Sequence, residues 1–242
     1  MYSLGILTNA AYETLKISIP TLVDALANRT NYQRCDDRLA SWSRRLVARA
    51  GIRIETIGRE HLTPNETYVV MSNHQSHYDI PVVFQALSIP IRMVAKTELF
   101  RIPVFGQAML DSGFIELDRS NRRRAIESLK LAGKRIREDR LSIWIAPEGT
   151  RSRDGKLAEF KTGGFHLARE ANVRILPVSL DGTIRVHRSG DSQVHKGETV
   201  RVTIHPPIEP AKYGREGIKE LMADVRTAIL SGLPEGSDAT SP

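Results

Sequence analysis

The chain has 242 residues, of which 40% are hydrophobic and 26% charged, with a net charge of +7 and one cysteine. That length can bury a substantial core in one large domain, or in a domain with a helical extension. Cys35 alone excludes an internal disulfide, and no run of about 18 apolar residues is present to form a spanning helix.

Residues 1–34 mix apolar positions, among them Ile6, Leu15, Ile19 and Val23, with polar ones around Pro20. A helix, a proline break and a second short helix are expected. No basic stretch leads into a continuous apolar core there, which argues against a secretory signal. Asp36 or Asp37 can cap a helix to Ala50, with Leu39, Trp42, Leu46 and Val47 on one face and Gly51 as terminator. Two readings of segment 1–50 are open. It is a layer packed on the main domain, or an interfacial element whose apolar side meets lipid, with Trp and Arg at headgroup depth.

Ile52–Ile57 alternates and reads as a strand, and Tyr68–Met71 is a β-branched run that reads as a buried one. Asn73-His74-Gln75-Ser76-His77-Tyr78-Asp79 follows, then an apolar helix over 80–87 with Pro81 near its start. A His and an Asp at this spacing, on a strand-to-helix turn, can fold back on one another. The carboxylate would fix the imidazole tautomer and support its charged form, leaving the other ring nitrogen as a general base. There is neither a Gly-x-Ser-x-Gly elbow nor a Cys–His signature, so the nucleophile for this base is a substrate hydroxyl. A metal site of His74, His77 and Asp79 is the rival, weakened by the lack of a further ligand cluster.

A strand is expected over 91–95, short helices or an apolar-rich loop over 96–110, and a strand over 113–117 ending at Asp118-Arg119. Ser120 can cap a helix to about Glu138, with Ala125, Ile126, Leu129, Ala132 and Ile136 inside. Arg122, Arg123 and Arg124 crowd its first turn against the helix dipole, a cost that a bound anion would offset. Between Arg119 and Arg140 there are nine Arg and Lys against three Asp and Glu, so the rest of the chain is close to neutral. Positive charge confined to one segment suits an anionic ligand or a membrane surface. A nucleic-acid binder built on this helix would lack an aromatic stacking platform and a known motif, so no nucleic-acid partner is expected.

A strand over 141–146 feeds Pro147-Glu148-Gly149-Thr150-Arg151-Ser152, and Phe160-Lys161-Thr162-Gly163 precedes a helix to Ala171. Strands over 173–180 and 199–205, a helix over 215–231 and a disordered tail complete the chain. Strands alternating with helices predict an α/β fold with a mixed, largely parallel central sheet flanked by helices. The expected division is an N-terminal helical, membrane-facing appendage at 1–50, a catalytic domain at 51–232 and a tail at 233–242. Ligand sites in such sheets lie beyond the carboxyl ends of strands. His74 with Asp79, Lys96, Arg119 and the 148–151 turn all fall there. If those strands are parallel neighbours, a base and several cations converge on one crevice, an arrangement suited to a hydroxyl-bearing phosphate. Glu148 is open to two roles, substrate contact or partner of Arg151. His166, His187, His195 and His205 receive no assignment.

Across residues 73–178 the chain resembles the 1-acyl-sn-glycerol-3-phosphate (lysophosphatidate) acyltransferase family of glycerolipid acyltransferases. The resemblance rests on five ordered blocks: His-x4-Asp at 74–79; Lys96-x-Glu98-Leu99 with Pro103, Gly106, Gly113 and Arg119; Ala146–Ser152, with Ala146 in place of the usual aromatic; Phe160–Gly163; and Leu176-Pro177-Val178. It implies transfer of an acyl chain from an acyl-CoA or acyl-ACP co-substrate to the sn-2 hydroxyl of lysophosphatidate, with no cofactor. His74 would be the base and Asp79 its support, and Arg119, Arg151 and Lys96 would hold the phosphate. Asn73 would orient the turn, and Glu148, Gly149 and Thr150 would face the glycerol or shape the loop. A lysophospholipid and an acyl thioester would be the ligands, with acyl-carrier protein as a further partner. Leu99, Phe100, Ile102, Val104, Phe105, Met109 and Leu110 could line an apolar path for the chain. Without a spanning segment, a peripheral or monotopic protein on the cytoplasmic face of a membrane is expected. The alternatives are a relative acting on another lysolipid or glycerol-phosphate acceptor, and a non-catalytic lipid binder, which the intact His74/Asp79 pair opposes.

Overall fold

Alternation along the strands decides the layers. Val69 and Met71 pack into one buried cluster while Tyr68 and Val70 pack into the other, and Ile143 and Trp144 divide in the same way. Successive side chains on a strand point to opposite faces, so a sheet apolar at nearly every position must be covered on both sides.

The computed structural model describes residues 2–118, 121–191, 193–214 and 216–239. Helices α1 (Tyr2–Leu26) and α2 (Tyr32–Arg49) lead into β1 (Arg53–Ile57), β2 (Val69–Ser72) and α3 (Asp79–Leu87). Then come β3 (Ile91–Lys96), α4 (Thr97–Phe100), α5 (Phe105–Asp111), β4 (Ile115–Leu117), α6 (Arg122–Glu138) and β5 (Ser142–Ile145). α7 (Gly163–Ala171), β6 (Ile175–Asp181), α8 (Thr183–Val186), β7 (Thr199–Ile204) and α9 (Ile218–Ser231) finish the chain. The seven strands lie in the order β1-β7-β6-β2-β5-β3-β4. Among the described residues, β6 and β7 are the one pair of neighbouring strands that runs antiparallel. One face is covered by α1, α2, α3 and α5, the other by α6, α7 and α9. Because β2, β5, β3 and β4 are parallel neighbours, the loops after them open along one edge of the sheet.

Several local expectations are corrected. Pro20 does not break the first helix, which runs through it to Leu26. Proline leaves the Lys16 carbonyl without its ladder donor, and the helix that spans this gap packs against α2 and α5. Asn31, rather than Asp36 or Asp37, caps α2, its Oδ1 accepting from the N–H of Gln33 at 2.8 Å and of Arg34 at 3.3 Å. Asp36 is taken instead by the fully buried Arg92, whose Nη1 lies 2.5 Å away. Asn121 caps α6 by accepting from Arg124 N–H at 3.2 Å, and Ile126 is exposed on that helix rather than inside. Ser120 and Arg119 lie outside the described residues. Of the tail expected to be disordered, Ser237 to Ala239 are docked: Leu157 N–H donates to Ser237 O at 2.7 Å and Ala239 N–H to Leu157 O at 3.3 Å.

The two N-terminal helices are bolted to the sheet domain. Ile6 and Leu39 join its core cluster. Trp42 Nε1 donates to Thr14 Oγ1 at 3.1 Å, and Gln85 of α3 donates to Ser43 Oγ at 2.7 Å. The opposite face of α1 is apolar and uncovered, with Tyr12, Leu15, Ile19, Val23 and Leu26 exposed at helical spacing.

Candidate active site

The turn after β2 is fixed from both ends. Asn73, buried, pairs twice with the backbone of β6: its Nδ2 donates to Leu180 O and its Oδ1 accepts Leu180 N–H, each at 2.8 Å. At the far end Asp79 opens α3, where a carboxylate is favoured by the helix dipole. It is wholly buried, and one oxygen, Oδ2, accepts from Gln75 N–H at 2.7 Å and Ser76 N–H at 2.9 Å. His74 Nδ1 meets that same oxygen at 2.6 Å. Two backbone donors hold the carboxylate as an acceptor, so Nδ1 carries a hydrogen and Nε2 is the basic nitrogen. Nε2 has no partner among the described residues. The imidazole stands edge-on to Trp144, with ring centroids 5.3 Å apart at 89°.

The loop after β5 closes beneath this pair. Both oxygens of buried Glu148 are engaged, Oε1 by His74 N–H at 2.8 Å and Oε2 by Ala158 N–H at 2.9 Å. Of the roles left open for Glu148, the hydrogen bonds match the loop-shaping one: it braces the His74 backbone, and Arg151 is not its hydrogen-bond partner. Burial pushes its carboxyl up to about 7, against the two backbone donors, which lower it. Gly149 has φ +74°, and a Cβ there would sit 3.1 Å from the Lys161 side chain. Thr150 is exposed in the same turn. Arg151 is half-buried, and its Nη1 is enclosed without a hydrogen-bond partner. Burial holds its guanidinium below the usual value, while Asp79 nearby works in the other direction. The chain therefore places an unspent cation beside the His74/Asp79 pair.

His74, Trp144, Pro147, Gly149 and Lys161 share a cavity of about 550 Å³ with Leu117, Leu129 and other residues. Lys96 ends β3 on the same sheet edge but is exposed and does not line this cavity. On the other side of the turn, two apolar clefts of about 230 and about 510 Å³ run beneath α1 and α2. Both are bordered by His77, Ile80, Trp42 and Phe105. Of the residues expected along an apolar path, Leu99 and Met109 line the first cleft, Ile102 the second and Phe105 both. Phe100, Val104 and Leu110 line neither. Gly106 has a physical reason in this loop, since a Cβ there would lie 2.0 Å from Phe100 O.

A family model described as Acyltransferase matches residues 53–181. Over 194 residues the chain is 34% identical to the 1-acyl-sn-glycerol-3-phosphate acyltransferase of Escherichia coli (strain K12), covering 79% of this chain and 77% of that one. The chain belongs to this acyltransferase family. A Haemophilus influenzae acyltransferase of the same name is 34% identical over 185 residues, 76% of each chain. The fold matches the crystal structure of the 1-acyl-sn-glycerophosphate acyltransferase from Thermotoga maritima with a TM-score of 0.81 at 24% identity, covering 96% of this chain and 92% of that one.

In this acyltransferase the structure brings together Asn73, His74, Asp79, Glu148, Gly149 and Arg151, and leaves Lys96 at the rim. Trp144, the Ala158 N–H and His187 were not singled out from sequence. His187, passed over as incidental, accepts from Ser76 Oγ through its carbonyl at 2.7 Å and sets its ring 5.7 Å from that of His77. A tryptophan one strand away from His74 has no local signal; it becomes visible only once β2 and β5 are known to pair.

Proposed function

We propose that the protein transfers a fatty acyl group from an acyl-CoA or acyl-ACP thioester to the sn-2 hydroxyl of 1-acyl-sn-glycerol 3-phosphate, giving phosphatidate. The observation that carries the reading is His74 Nδ1 at 2.6 Å from an Asp79 oxygen already held by two backbone N–H groups, which commits Nε2 to the acceptor role. His74 Nε2 takes the hydroxyl proton as that oxygen attacks the thioester carbonyl, and Asp79 supports the imidazolium that forms. When the carbonyl re-forms, the C–S bond breaks and the thiolate recovers the proton from His74. No protein nucleophile or cofactor is required.

Arg151 is the first candidate for the acceptor's phosphate, since a guanidinium grips phosphate through paired N–H groups and one of its nitrogens is unpartnered. Lys96 at the rim and Arg119 are further cations for the phosphate or the donor's own anionic groups. Gly149 and Thr150 shape the turn that presents Arg151. The apolar clefts bordered by His77 supply room for acyl chains. No helix among the described residues is long and apolar enough to cross a membrane. The uncovered stripe of α1 favours a monotopic or peripheral seat on the cytoplasmic face of a lipid bilayer, with α1 lying in the interface.

The test is acyl transfer by the purified protein from palmitoyl-CoA, and from acyl-ACP, to lysophosphatidate, with lysophosphatidylcholine and glycerol 3-phosphate as rival acceptors. Product from lysophosphatidate alone, abolished in His74→Ala, supports the reading. Transfer to another acceptor in its place moves the protein to a different member of the superfamily, and silence with every pairing refutes the reaction.

A further inference from the structure

The site is braced from a helix that takes no part in it. Arg226 of α9 grips two consecutive carbonyls of the 157–160 loop, donating from Nη1 to Ala158 O and from Nη2 to Leu157 O, each at 2.7 Å. Nη2 also meets Asp238 of the docked tail, and the guanidinium lies over the Phe160 ring, 5.3 Å from its centroid. Leu157 is also bridged to the tail: its N–H donates to Ser237 O, and the carbonyl that Arg226 holds also accepts Ala239 N–H. The N–H of the Ala158 residue so held is the one that occupies Glu148 Oε2, and Glu148 Oε1 takes the His74 N–H.

We propose that Arg226, with the 237–239 segment it binds, is a positioning residue for acyl transfer, acting through Ala158 and Glu148 on the peptide that carries the base. The inference rests on His74 being that base. Arg226 touches neither substrate nor His74. A carboxylate with two oxygens and two backbone donors is a rigid link only if both donors are fixed. His74 N–H is fixed by its own turn, and Ala158 N–H by the Arg226 fork, which holds the carbonyl of that same peptide and the carbonyl of the next. Loosening the fork frees Glu148 to rotate, and His74 loses its floor. Small displacements of a base relative to a reacting hydroxyl are costly in kcat and nearly neutral for binding.

Two measurements on the full chain decide it. Hydrogen exchange, which needs no substrate, compares wild type with Arg226→Met: the His74 and Ala158 amides should exchange at least about tenfold faster, with the β2 and β5 amides unchanged. In the acyl-transfer assay, Arg226→Met should lower kcat roughly tenfold with both KM values within about twofold. In the Glu148→Gln background the same change should cost little more, because the link is already cut. Asp238→Asn, which keeps the backbone bridges at Leu157, should give a smaller loss of the same kind and carries the reading if Arg226→Met does not fold. Unchanged exchange at both amides, or losses that add in the double variant, overturns the proposal. A wild type that exchanges as expected yet transfers no acyl group refutes the reaction, not the brace.

Discussion

Asp79→Asn separates the charge of this carboxylate from its geometry. The same oxygen serves His74 Nδ1 and two backbone donors, at 2.6, 2.7 and 2.9 Å. An asparagine oxygen must therefore occupy that vertex, because the amide NH2 group cannot face two N–H groups. The NH2 falls where Asp79 Oδ1 now lies, a buried position with no hydrogen-bond partner. The imidazole tautomer is thus preserved, and what is lost is the negative charge opposite the imidazolium. A hydrogen bond to a charged group contributes about 1.5–3 kcal/mol against about 1 for a neutral one. The barrier should rise by about 1–2 kcal/mol, a roughly 5- to 30-fold fall in kcat. The assay is steady-state acyl transfer to lysophosphatidate in wild type and Asp79→Asn, with Asp79→Ala beside them. An inverted tautomer would cost about 10⁴-fold. A loss of that size in Asp79→Asn would show that the backbone donors do not dictate the amide's orientation, and wild-type kcat would show that the charge is not used.

Three further expectations follow from burial and charge. Glu148, raised from 4.5 to about 7 in the folded chain, binds its proton more tightly folded than unfolded. That contribution, about 3 kcal/mol, is fully present below about pH 4.5 and lost as pH rises through about 7, so Tm should fall between those values and the slope should vanish in Glu148→Gln. Activity should run the other way, since only the ionised carboxylate accepts from both His74 and Ala158; wild-type kcat in Glu148→Gln above pH 7 would contradict this. Arg92→Met strips donors from Asp36, Ser112 O and Ile91 O in the core and should cost about 3 kcal/mol or more in urea unfolding, whereas a loss under about 1 would mean that water reaches those acceptors. Leu15→Asp or Ile19→Asp on the uncovered face of α1 should weaken sedimentation with phospholipid vesicles at least about tenfold while leaving Tm unchanged; undiminished binding would place the membrane contact elsewhere.

What could be read in the sequence was what is local. Strand alternation and the His74/Asp79 spacing put that pair at a strand end from nearest-neighbour rules alone, whereas the pairing of β2 with β5 and β6 joins distant segments and shows only in the structure. The misplaced cap of α2 had a long-range cause. Asp36 is as good a capping residue as Asn31, but a buried arginine 56 positions away claims it. Pro20 is a local breaker within a helix that packs against two others, α2 and α5. Glu148 could be located in the motif, yet its partners are two backbone amides, and backbone donors leave no trace in side-chain identity. The tail from Pro234 has a disordered composition, but Arg226 and the open edge at Leu157 give three of its residues somewhere to bind.

The chain has two tryptophans, and they stand in different parts of the candidate site. Trp144 lies edge-on to His74, with its indole N–H fixed on Ser72 Oγ at 2.9 Å, and Trp42 borders both apolar clefts. An imidazolium quenches indole emission and a neutral imidazole does so far less. Trp144 is thus a built-in optical reporter of the charge on His74, while Trp42 reports the polarity of whatever fills the clefts. Trp42→Phe and Trp144→Phe would resolve the two signals, so that filling of the clefts and proton transfer could be timed separately in a single mixing experiment without any label.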